Sequence, residues 1–194
     1  MMKTIEFDPT SISGLDLADL CKGIGKGISK AVGSCLAEAA SVSLERQNHS
    51  PGGTMDIVGD APHSVEVHWD VDPDKERIIS SWMDADVAAE WGACGIAALL
   101  VEYCTDCTIV ARSRKGTGFD YWLGREDATP ESVLFQDVGR LEVSGINKGR
   151  SSSVAQRVKK KEQQVLAYGK TMPSLVAVIE FGKPLAHVTS HEKD

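Results

Sequence analysis

Polar and apolar positions change period several times along the chain, and each change marks an element. Over residues 28–47, Val32, Leu36, Ala39, Ala40, Ser43 and Leu44 recur at helical spacing, with Cys35 on the same side. The segment Asn48-His-Ser-Pro-Gly-Gly53 breaks that pattern. Over residues 64–71, Val65, Val67 and Trp69 alternate with Glu66, His68 and Asp70, which predicts a half-buried strand. The run SWMDADVAAEWGACGIAALLVEYCT carries the longest helical signal. Asp84 or Asp86 can cap it, and its acidic first turns suit the helix dipole. Gly92 and Gly95 weaken it and predict a close approach to a sheet.

Residues 108–113, 118–123 and 140–146 follow as three strand candidates, the first two joined by the tight RKGTG link as a hairpin. Residues 151–168 read as a helix with Val154, Val158 and Val165 on one face and Arg157, Lys160, Lys161 and Gln164 elsewhere. A buried strand over 174–182 and the short PLAHVT strand close the chain. From Asp84 onward the order is helix, three strands, helix, two strands, an α/β arrangement around a mixed sheet. No repeat or low-complexity tract divides the sequence. Residues 1–194 are expected to form one domain, with 1–80 as an N-terminal helix and strand extension. If a boundary exists, it falls at NHSPGG.

The chain has 194 residues, 42% of them hydrophobic and 25% charged, enough for one sizeable core. Its formal net charge of −7 counts against a surface that grips nucleic acid everywhere. The basic residues are nevertheless concentrated. Lys148, Arg150, Arg157, Lys159, Lys160, Lys161 and Lys170 lie within 147–170 against a single acid, Glu162. Such a run reads either as a solvated helix face or as a flank for phosphate. Five cysteines at wide spacing and no leader peptide point to reduced thiols and a cytoplasmic protein. No apolar run reaches the roughly 18 residues of a membrane span, and GIAALLV reads as a buried core helix. Cys104-x-x-Cys107 supplies only half of a zinc site. The early CKGIGKGISK segment lacks the ending of a phosphate loop, so its glycines read as belonging to a mobile segment.

Two acidic residues sit inside apolar, strand-like runs: Asp120 in GFDYWLG and Glu142 in RLEVSGI. Glu90 lies on the long helix, and Gln164 and Tyr168 form Q-x-x-x-Y on the later one. This constellation resembles the PD-(D/E)XK nuclease superfamily over residues 84–189, with Glu142-Val-Ser144 in the place of the (D/E)-x-K motif and QVLAY similar to the motif of the RecB-like branch. The resemblance implies a restriction-endonuclease-like αβββαβ core. It implies Asp120 and Glu142 as ligands of Mg²⁺ or Mn²⁺, with Glu90, Ser144 and Gln164 beside them. It also implies hydrolysis of DNA or RNA phosphodiesters, as in bacterial defence or repair systems, with Lys148, Arg150, Arg157, Lys159, Lys160 and Lys161 as the nucleic-acid flank. The motif lysine is replaced by Ser144, which carries no positive charge. Lys148, Lys159 or Lys160 are the candidates to stand in for it.

Three readings follow. The first is an active nuclease. The second is a degenerate nuclease-fold scaffold within a larger protein complex. The third is an acidic protein that blocks a basic partner. Taken singly, each strand carboxylate reads more simply as solvent-facing.

Overall fold

The computed structural model describes residues 2–125, 138–167 and 172–192. Among them the chain forms helices α1 (Lys30–Arg46), α2 (Lys75–Ser81), α3 (Ala85–Cys104) and α4 (Ser151–Ala167). Its strands are β1 (Gly14–Asp16), β2 (Gly53–Gly59), β3 (His63–His68), β4 (Thr108–Arg112), β5 (Tyr121–Gly124), β6 (Gly139–Ile146), β7 (Ser174–Glu180) and β8 (Leu185–His191). The strands make one mixed sheet in the order β1-β3-β2-β8-β7-β6-β5-β4. The protein is thus an α/β fold with helices on a mixed sheet.

The two faces of the sheet are read from β6 and β7. Leu141, Val143, Leu175, Ala177 and Ile179 point into the main core with Ala89, Ala93, Ile96 and Leu100 of α3. Val176 and Val178 point the other way and meet Val154, Val158 and Val165 of α4. The α4 valines sit at the spacing that the sequence predicts. Because β6 and β7 are parallel neighbours, the chain crosses between them through α4. Helix α3 is long and apolar enough to cross a membrane by length and composition, contrary to the reading of the sequence, but 67% of its apolar window lies inside the fold.

The sequence predicts that Gly92 and Gly95 let α3 approach a sheet. Instead they let it approach α1. A Cβ on Gly92 would fall 2.8 Å from Ala40 Cα, and one on Gly95 would fall 3.2 Å from Leu36 Cβ. The close contact with the sheet is made by the opposite partner. A Cβ on Gly145 of β6 would lie 2.1 Å from the Ala89 carbonyl oxygen.

The N-terminal region extends the sheet. The strand expected over 64–71 is β3, which pairs antiparallel with β2, and β2 in turn runs parallel to β8. The glycines of CKGIGKGISK have a structural use too. Lys26 and Gly27 donate their backbone N–H groups to Ile109 O at 3.1 and 2.9 Å, beside a register shift in β4, the last strand of the sheet. Side chains at Gly25 or Gly27 would collide with Ile109.

Candidate active site

The site begins where β5 stops. Pairing with β6 runs only from Leu123↔Gly139 to Tyr121↔Leu141. Asp120 therefore lies one residue before the strand rather than inside it, after a turn that contains Gly116 and Gly118 at positive φ. Its own N–H still donates to Leu141 O at 2.9 Å. Beyond it Val143 has no β5 partner, and the Asp120 carboxylate takes the Val143 N–H at 2.8 Å. In a strand the N–H and C=O of one residue point to the same side, so the Val143 carbonyl faces that edge as well.

On β6 the even positions Arg140, Glu142 and Ser144 are polar and buried. Glu142 is 2% exposed and Ser144 7%, so the solvent-facing reading of Glu142 is corrected. Both residues lie on the α4 side of the sheet, and α4 brings a polar stripe to meet them. Arg157, Lys161 and Gln164 are spaced i, i+4, i+7 and so share a face. Arg157 Nη1 donates to Ser144 Oγ at 2.9 Å. The Lys161 ammonium donates to Glu142 Oε1 in a short, charge-assisted contact. Gln164 Nε2 donates to the same oxygen at 3.1 Å and to Gly118 O at 3.0 Å, tying the turn before Asp120 to the helix. The start of α4 is fixed by the buried Glu180 carboxylate, which accepts from the N–H groups of Gly149, Gly182 and Lys183.

Burial pushes the Glu142 carboxyl up to about 7. The Lys161 ammonium opposes that shift, and the neighbouring Asp120 carboxylate, within hydrogen-bonding contact, adds to it. Folded Glu142 holds its proton more tightly than unfolded Glu142, so the folded state binds more protons between the ordinary value near 4.5 and about 7. Stability contributed by this group is present below that window and is lost as pH rises through it. Relative to Glu142→Gln, the wild type is expected to lose stability between about pH 5 and about pH 8. Urea midpoints for both proteins at the two pH values check this, and a pH-independent difference would contradict it.

A cavity of about 220 Å³ opens here between α3 and α4. Glu90, Trp91, Cys94, Arg112, Asp120, Val143, Ser144, Arg157 and Lys161 line it. The structure therefore gathers Glu90, Asp120, Ser144, Arg157 and Lys161 around one space, with Glu142 and Gln164 directly behind Lys161. It does not gather the other candidates. Lys159 and Lys160 are exposed and have no contact with either carboxylate. Arg150 lines a different cavity, with Glu180, Lys183 and His187, and Lys148 packs near Gly182. The lysine beside Glu142 is Lys161, not Lys148, Lys159 or Lys160. Its spacing from Arg157 and Gln164 is the sequence signal that could have singled it out. Trp91 and Arg112 carry no such signal. Tyr168, the second half of Q-x-x-x-Y, lies outside the described residues.

Among the described residues no group of three or more His, Cys, Asp and Glu side chains could hold a metal ion. The donors at this site are two carboxylates and a strand carbonyl. Carboxyl and carbonyl oxygens are the donor type that a hard divalent cation takes. Comparison with family models, with curated proteins and with solved structures gave no match.

Proposed function

We propose that the protein is a metal-dependent nuclease with a restriction-endonuclease-like core, in which the lysine missing from E-x-S is supplied by α4. The observation that carries this reading is the Lys161 ammonium on Glu142 Oε1, next to Asp120. The order α3-β4-β5-β6-α4-β7, with Asp120 immediately before β5 and Glu142 on β6, supports it. Asp120, Glu142 and the Val143 carbonyl would hold Mg²⁺ or Mn²⁺, which when bound lowers the pKa of water and offsets charge on the phosphate. Lys161 orients the attacking water and keeps positive charge beside it. Gln164 fixes the Glu142 carboxylate and the Gly118 turn. Arg157 and Arg112 face the phosphate oxygens, Arg157 being held by Ser144.

Calorimetric titration with Mn²⁺ tests the reading. Wild type is expected to bind roughly one equivalent, with proton release near pH 7 as Glu142 gives up its proton, and Glu142→Gln is expected to bind none. Absence of binding in both proteins would sink it. That outcome would favour a second reading, a catalytically degenerate scaffold subunit of a protein complex. One observation supports this alternative: Glu142 Oε1 is already occupied within the fold, accepting from Lys161 and from Gln164.

A further inference from the structure

We propose that the cavity takes single-stranded nucleic acid and that Trp91 at its mouth stacks on a base of that strand. The inference rests on the nuclease reading for the placement of the phosphate and adds the form of the substrate. Trp91 lines the cavity together with Asp120, Arg112, Arg157 and Lys161, yet it is 37% exposed. It is also braced. The Trp82 ring lies 6.0 Å from it at 59°, and Trp82 is itself fixed by its indole N–H, which donates to Glu38 Oε1 at 2.7 Å. An exposed, braced indole beside the basic side chains of Arg112, Arg157 and Lys161 is the arrangement used by proteins that hold single strands, because every base offers a face for stacking.

Stacking on Trp91 needs the face of a base, which a duplex keeps covered by its neighbouring pairs and an unpaired strand leaves free, so engaging this ring calls for a single strand. The positive charge at the cavity comes from Arg157 and Lys161, one turn apart on α4, and from Arg112 of β4. On the α3 side Glu90 lines the cavity beside Trp91.

The test is fluorescence anisotropy with labelled oligothymidylate and oligouridylate of about 12 nucleotides and a duplex of equal length. Binding is read in Ca²⁺, and cleavage is followed separately in Mn²⁺. Single strands are expected to bind about tenfold tighter than duplex; Trp91→Ala should lose about tenfold on single strands and Trp91→Phe should keep most of the affinity. The two oligonucleotides separate a deoxy from a ribo preference. Equal or tighter duplex binding, no binding at all, or an unchanged Trp91→Ala variant with an intact melting transition would each overturn the proposal. Trp91-dependent binding without cleavage would uphold it and sink the nuclease reading. Duplex cleavage indifferent to Trp91 would do the reverse.

Discussion

Lys161→Met is expected to lower Mn²⁺-dependent cleavage of nucleic acid by at least about a hundredfold, the usual cost of removing a preorganised charge from a transition state. Lys159→Met and Lys160→Met should leave the rate nearly unchanged. The three lysines are consecutive and identical in chemistry, so helix phase alone separates them. Only Lys161 turns toward β6, where its side chain is 20% exposed and its ammonium meets Glu142. Removing it also strips Glu142 of its cation, so the carboxyl should hold its proton to higher pH and Mn²⁺ should bind less well near neutrality. Rates measured at saturating Mn²⁺ distinguish that indirect loss from loss of the charge itself. Lys161→Arg should restore little, since a planar fork cannot replace a point charge in a fitted contact. Equal rates for all three methionine variants would remove Lys161 from the chemistry.

The largest stability effect is expected at Gly145. In Gly145→Ala the new methyl group would lie 2.1 Å from Ala89 O and 2.8 Å from Glu90 N, all backbone atoms of α3 with no flexible end to give way. Overpacking of this kind costs about 3 kcal/mol. In a chain of this length that lowers the melting temperature by roughly 6–12 °C. The strain would fall on the turn of α3 that presents Glu90 and Trp91 to the cavity, so Mn²⁺-dependent cleavage should fall as well. A melting scan checks the first point. A variant with wild-type stability would show that α3 can lift away from β6 freely.

The elements with a long, regular period were legible in the sequence. Helices α3 and α4 and strands β6 and β7 lie within a residue or two of the spans their patterns predict, because each buries a whole face or stripe. What was missed is short or held by tertiary contacts. Strand β1 has three residues and exists by pairing with β3. In β2 only Met55 and Ile57 are buried, between flanking glycines, which left too few alternations to read. Helix α2 buries none of its seven residues, and its cap Asp74 looked like part of a turn. At the site, the acids were visible but their surroundings were not. Glu142 and Ser144 looked like the wet side of a strand because polar residues usually are. Here they face a second polar stripe, and polar residues facing each other across a helix–sheet contact are invisible to a hydrophobic pattern. Ser144 likewise looked like the loss of a lysine. In space it anchors Arg157, while the ammonium arrives four residues further along the same helix.

The loop around Gly25 and Gly27 has a bearing on how copies of this protein can associate. An outermost strand with open N–H and C=O groups is a template for another chain's backbone. At β4 the Ile109 carbonyl is already engaged by Lys26 and Gly27, and the register shift there bends the strand away from a straight ladder. The opposite margin, β1, offers only three residues. Among the described residues, both borders of the sheet are thus poor templates for a continuous intermolecular sheet. Contacts between copies made through helices and loops are favoured over a shared ladder, and such contacts can part without breaking β-structure.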